Sequence, residues 1–529
     1  MKNFSKLFLL AFGILFVTSS CASNKSSSNL TSDSATATSK FQKESGHKNK
    51  NNYKNKSSLK TPDFEKIKLE NGIIVYFLAD KSLPQFSIQG ILSKGSAQDF
   101  KGQAGLASMT MAMLKEGSGD LNSELYKAEY SKFSSEFDYD VEKDSIVFKS
   151  TGLTKYNKNI VNLFLDTIFK SHLLNTSKVK DLENEFKKIK DKRLAQIEKS
   201  TEQAAYYANI SFQSILFKNE NYAFPEIGTK SNLQKLKLID LQKYYTTYIQ
   251  PESLQFALTG HFSAATKNEL IQKLKNIRSH SDLLKKGPVS KLPQKLVVEK
   301  TEDTAINSTE PPVVVKPVVS TKIIVVDKPN LKQAEVRIGH IGPKRDYAYF
   351  IPLYISNSAV GSGDFNSMLM QEIRVKRGLV YGVNSVFAGL KQNGYFLVSA
   401  STRHDKVDEL IKTILDIIKN VKNVGIKSED LETQRGILLG QFPMKFETED
   451  NFMNQIMRYK NYGFDENYIQ NFYQQIQDLD LTQANSILKT NYKPDESLIV
   501  IFASKKELPK GLSKLGYPIE YIDYKKILP

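Results

Sequence analysis

The chain has 529 residues, 40% of them hydrophobic and 25% charged, with a formal net charge of +17 at pH 7 and one cysteine. That length and apolar content suit two or three domains with substantial cores, and a lone cysteine excludes an internal disulfide. The positive balance favours acidic partners at long range, while no basic helix interleaved with aromatics argues for nucleic acid.

Residues 1–20, MKNFSKLFLLAFGILFVTSS, place Lys2 and Lys6 ahead of an apolar run from Leu7 to Val17. The run is too short to span a membrane and has the layout of a secretory signal peptide. Cys21 follows where a bacterial lipoprotein signal is cut, with Thr18 at the position usually held by leucine. The expectation is a lipid on Cys21 and a protein anchored in the bacterial cell envelope, on its periplasmic or outer-surface side. Residues 21–60 almost lack aliphatic side chains and read as a disordered polar tether. Lys43, Lys48, Lys50, Lys54, Lys56 and Lys60 gather at its far end against Glu44. Beside a lipid anchor they could rest on anionic headgroups at about 1 kcal/mol each, and a solvated tail reads equally well.

Residues 61–284 form a first folded segment. GIIVYFLAD after the Asn71-Gly72 turn alternates as a strand. GQAGLASMTMAML, residues 102–114, runs from a glycine-punctuated loop into an apolar helix that offers Ser108, Met111 and Ala112 but no histidine, cysteine or acid. KIKDKRLAQIEKS, residues 188–200, is a later helix containing Gln196. The six histidines, His47, His172, His261, His280, His340 and His404, are far apart, so no local metal-ligand spacing exists.

Three stretches of this segment recur in order near the other end of the chain. ADKSLPQFSIQGILSKGS (79–96) is echoed by VDKPNLKQAEVRIGHIGP (326–343), and STGLTKYNKNIVNLFLDTIFKS (150–171) by STRHDKVDELIKTILDIIKNV (401–421). YIQPESLQFALTGHF (248–262) is echoed by YKPDESLIVIFAS (492–504). The pattern means a duplicated domain. Residues 285–321, rich in Pro, Val and polar residues, join the copies as a partly extended linker, and residues 322–529 are the second copy. Alternating strands and long amphipathic helices in separate runs predict an α+β fold, each half an antiparallel sheet with helices on one face.

The second copy contains GSGDFNSMLMQEIRVKRGLVYGVNS, residues 361–385. This resembles the C-terminal signature of the insulinase and mitochondrial processing peptidase family, the pitrilysin-like metallopeptidases, and the order of elements fits from about residue 62 onward. The resemblance implies two homologous domains closing as a clamshell around a peptide. In active members the first half carries His-x-x-Glu-His on a helix, two imidazoles on one face holding zinc and a glutamate between them taking a proton from the bound water. Aligned on Gly105, Leu106 and Ala107, those three places hold Ser108, Met111 and Ala112, and the third ligand, a glutamate in the family, falls on or near Gln196. A hydroxyl, a thioether, a methyl and a neutral amide make a degenerate zinc site, so no metal is expected in this chain.

The family uses an arginine and a tyrosine in the second half to contact the substrate carbonyl, and the resemblance assigns these roles to Arg377 and Tyr381. Their structural alternatives are a helix cap and a half-buried strand residue. Bacterial members often divide the zinc motif and the Arg/Tyr pair between two chains. The expectation is therefore a lipoprotein subunit that pairs with a zinc-bearing homologue, the cofactor residing in that partner, and supplies Arg377 and Tyr381 to a shared peptide site. A peptide-holding or scaffold lipoprotein without chemistry, and an active enzyme with a metal site built from distant residues, remain as alternatives.

Overall fold

The computed structural model describes residues 58–174, 179–218, 220–279, 320–361 and 364–527. The expected signal peptide, Cys21 and nearly all of the expected tether lie outside them, as do residues 285–319 of the expected linker. Leu59–Pro529 forms one compact unit built around two six-stranded sheets.

In the first sheet the order is Glu65–Lys68, Ile74–Ala79, Leu254–Gly260, Gln85–Leu92, Ile146–Leu153, Asp138–Val141. In the second it is Ile519–Asp523, Lys322–Asp327, Leu498–Ala503, Ala334–Gly342, Gly394–Thr402, Val380–Gly389. Five of the six strands match in order, as a duplication requires. They part at the outermost strand beside Ile74–Ala79 and Lys322–Asp327: Glu65–Lys68 precedes its neighbour and runs antiparallel, while Ile519–Asp523 comes from the C-terminal end and runs parallel.

Neither sheet is purely antiparallel, contrary to the sequence expectation. Ile74–Ala79 pairs parallel with Leu254–Gly260, and Lys322–Asp327 parallel with Leu498–Ala503. The strands KIIVVD and LIVIFA are nearly continuous apolar runs, the mark of strands covered on both faces.

That double cover is the main departure from one-sided helices. On one face of the first sheet Val75, Phe77, Ile88, Phe148 and Phe256 join the core of their own helices. On the other, Tyr76, Leu78, Ile91, Val147 and Ala257 belong to the core of the second half, where helix Glu449–Asn461 lies on the sheet. The reverse holds for the second sheet. Its inner residues pack on helix Val407–Val424, which buries Val407, Leu410, Ile411, Ile414, Leu415, Ile418 and Val421 at helical spacing. Its outer residues Ile324, Val326, Tyr395, Leu397, Val500 and Phe502 pack on Ala204–Leu216 of the first half through Tyr207, Ala208, Ile210 and Phe212. The two halves of the clamshell therefore exchange one helix each, from corresponding places in the repeat.

Polar contacts pin the exchange. Asp450 on Glu449–Asn461 accepts from Thr259 Oγ1, pairs with Lys149 Nζ at 2.7 Å and offers its carbonyl to Gln89 Nε2 at 3.2 Å. Arg458 holds Glu142. In the opposite direction the buried Arg337 guanidinium donates to Asn209 Oδ1 and to Ala205 O at 3.0 Å on the exchanged helix, and pairs with Glu335 at 3.1 Å.

Candidate functional site

The degenerate motif begins with a turn that only glycine fits. Gly105 has φ 96°, and a Cβ there would lie 2.6 Å from Leu233 Cδ1 and 2.8 Å from Gly228 Cα. Asp99, itself buried, accepts from Gly105 N at 2.7 Å and Ala107 N at 2.8 Å, satisfying the first amides of helix Leu106–Leu114. Burial pushes the Asp99 carboxyl up to about 7 against those hydrogen bonds, which favour the charged form.

Beyond this turn the helix is packing material. Ser108 and Met111 are buried, Met111 within the first-half core, and Ala112 is half-buried. The helix Val179–Ser200 lies against it, with Leu182 and Phe186 in the same core. Gln196 is exposed on that helix, its Oε1 accepting from Arg193 Nη1 at 3.0 Å, whereas Ser108 and Met111 are buried. A hydroxyl, a thioether and a methyl, with the amide turned to solvent, do not fit a zinc ion. Among the described residues no group of three or more His, Cys, Asp or Glu side chains is placed to hold a metal. Three histidines bond to backbone atoms: His172 Nε2 lies 2.7 Å from Gly119 O, His340 is bonded to Ile341 O and Lys493 N, and His404 accepts from Ser504 N at 3.4 Å.

The second-half motif has the opposite character. Residues Met370–Lys376 form a π-helical turn, and the chain leaves it through Gly378 at φ 60° into strand Val380–Gly389. The strand register then slips between Val380, opposite Thr402, and Val383, opposite Ala400. π-Turns and bulges of this kind re-aim side chains, and both recur beside functional sites. Here they leave Tyr381 87% exposed on a strand whose neighbours Val380 and Val383 are buried.

The cation beside Tyr381 is Arg374. Its guanidinium carbon stands 4.7 Å from the Tyr381 ring centre and 4.5 Å from that of Phe365, which is also exposed. Arg377, the residue singled out from sequence, is turned elsewhere: Nε and Nη2 reach Glu372 Oε1 at 3.0 and 2.9 Å, and Nη1 lies 3.9 Å from Glu409. Hydrogen bonds from Lys376 and Arg377 hold the Glu372 carboxyl below its usual range. Arg374 and Phe365 were missed because two arginines three positions apart in IRVKRGLVY cannot be ranked by spacing alone, whereas the π-turn decides which of them meets the tyrosine. A groove of about 490 Å³ lies on the Arg377 side, lined in part by Glu372, Lys376, Arg377, Glu409, Lys412 and Asp430 and not by Arg374 or Tyr381.

Residues 235–438 match the family described as the peptidase M16 inactive domain. A Helicobacter pylori protein named non-peptidase homolog YmxG is 23% identical over 429 residues, covering 80% of this chain and 90% of its own. Two solved structures share the fold. A peptidase M16 inactive domain from Pseudomonas fluorescens superposes with a TM-score of 0.71 at 21% identity, covering 84% of this chain and 99% of that one. A Helicobacter pylori protease superposes with a TM-score of 0.68 at 17% identity, over 84% and 100%.

Proposed function

Because the chain is an M16-family peptidase homologue whose zinc-motif positions hold Ser108, Met111 and Ala112, we propose that it is the metal-free member of a two-chain peptidase. In this reading it is an exported lipoprotein, anchored through Cys21, that lends Arg374 and Tyr381 to a zinc-bearing homologous partner acting on peptides.

The observation that carries the reading is the contrast between the two motifs. The first-half helix is sealed into the core, while Arg374 and Tyr381 are held at the surface by a π-turn, a bulge and ring stacking. Guanidinium N–H and phenol O–H groups both donate, and both suit a peptide carbonyl oxygen that gains negative charge when its carbon is attacked. Donors fixed beforehand act on that developing charge without reorganising, which lowers the barrier rather than tightening ground-state binding.

The test is steady-state kinetics on the reconstituted two-chain complex. Arg374→Ala or Tyr381→Phe is expected to lower kcat by roughly 10²-fold with assembly intact. Ser108→Ala should leave kcat within about twofold, since Ser108 only packs. Loss of activity in Ser108→Ala with full activity in Arg374→Ala would overturn the division of labour.

A second reading, a peptide-holding lipoprotein with no chemistry, draws support from the name non-peptidase homolog given to the Helicobacter pylori relative. It predicts that no zinc-bearing homologue copurifies with the native lipoprotein from membranes.

A further inference from the structure

The strand that presents Tyr381 is also a sheet edge of an unusual kind. Among the described residues Val380–Gly389 pairs only with Gly394–Thr402. Its ten residues, VYGVNSVFAG, contain no charge and no proline. The other three edges are EKIK, DYDV and IEYID, each no more than half as long and each charged, which is how natural edges resist further pairing. Glu65 and Lys66 are additionally tied to Lys267 and Glu466. The contrast is sharpest with Asp138–Val141, which holds the same place in the first sheet.

Both faces of Val380–Gly389 are already packed, Val383 and Phe387 in one core and Val386 and Ala388 against the other. What it still offers is its outer row of backbone N–H and C=O groups, of which Ser385 O also accepts from Asn357 Nδ2 at 3.1 Å. At the Val380 end a Cβ on Gly378 or Gly382 would meet nothing within 4 Å, so these two glycines leave free space on the side-chain side of the bulge. At that same end stands Arg374, stacked between Phe365 and Tyr381 and forming no ion pair among the described residues. Glu372 pairs instead with Lys376 and Arg377, and Glu409 with Lys406.

We infer that Val380–Gly389 captures an extended peptide as an added strand, and that Arg374 receives a carboxylate of that peptide at the Val380 end. Main-chain bonds along the edge give affinity without reading sequence, and the one oriented cation supplies a register mark. A second copy of the chain is the poorer occupant, because two bodies of the same strong positive charge repel where an acidic peptide is attracted. The inference deepens the peptide-handling reading of this site but does not need a partner chain.

The experiment uses the full chain alone and fluorescence anisotropy of a labelled peptide of about ten residues, alternating Val and Thr, ending in Glu. Methylating alternate backbone amides should weaken binding at least about tenfold, since each lost main-chain bond is worth about 1 kcal/mol. Replacing the terminal Glu by an amidated Gln, or Arg374 by Gln, should each cost about five- to tenfold, and the two together no more than either alone. Arg374→Lys, which keeps the charge and loses the flat stacking fork, should recover part of the loss. Equal binding of the methylated peptide, or full additivity of the two changes, would overturn the inference, as would concentration-dependent dimerisation that the peptide does not compete away. Peptide capture by a chain for which no zinc-bearing partner exists would leave this inference standing while removing the subunit reading.

Discussion

At the residue scale, His340 shows how little a histidine in a metallopeptidase-like chain need have to do with metal. It is buried between Phe387 and Phe396, Nε2 accepting from Lys493 N at 3.1 Å, so that Nδ1 carries the proton and donates to Ile341 O at 2.9 Å. Burial drives its pKa down from 6.5 to about 4. A depressed folded value means that the neutral form contributes stability in full above about 6.5, and that this is lost as pH falls toward 4 and the unfolded chain takes up a proton the folded chain refuses. Urea unfolding of the wild type should therefore show a stability loss on the order of 2–3 kcal/mol between pH 7 and pH 4 that His340→Gln lacks. An identical pH slope in the variant would sink this account. Asp99 works with the opposite sign: its raised pKa, from 3.8 to about 7, makes it favour low pH, so Asp99→Asn should remove a destabilisation that sets in between those values as pH rises. Neither behaviour was legible in the sequence, where both residues are isolated letters. The absence of zinc ligands at Ser108, Met111 and Ala112 was legible, because it depends on residue identity alone. The partnership of Tyr381 was not, because a single π-turn changes which of two arginines faces it.

At the scale of elements, the repeat, the strands and the long helices could be read from periodicity, and the echoes in order fixed which elements correspond. The exchanged helices could not be assigned, since nothing in AAYYANISFQSIL says whose sheet it covers. The signal that was present, and was passed over, is the double apolar face of KIIVVD and LIVIFA, which demands a second layer. Phe212 is the sharpest probe of that layer. It is fully buried on a first-half helix and its ring stands 6.2 Å from that of Tyr395 in the second sheet. Phe212→Ala should cost about 3–5 kcal/mol. Its mark in hydrogen exchange should be faster opening of Leu498–Ala503, in the other half, with Gln85–Leu92 much less affected. Confinement of the effect to the first half would contradict the exchange.

For the whole molecule, the exchange makes the halves mutually dependent. A fragment of residues 322–529 lacks Ala204–Leu216 and would expose Ile324, Val326, Tyr395, Leu397, Val500 and Phe502 together, a larger apolar patch than soluble monomers carry. Expressed alone it should aggregate or elute as large species in size-exclusion chromatography. Coexpressed with residues 59–284 it should return as a one-to-one complex of native elution volume. A monomeric, folded 322–529 fragment would show that the second sheet does not need its borrowed helix.

The same dependence bears on ancestry. Before the duplication joined two copies in one gene, the single-copy protein had the same two-faced sheet and the same helix to lend, but no second half to trade with. It must have traded with another molecule of itself, as a helix-swapped homodimer whose two sites were identical by symmetry. Fusion released that constraint: once the copies were joined each could change without the other, and the ten uncharged residues of Val380–Gly389, in the place where the first half has the four residues DYDV, are the record of it.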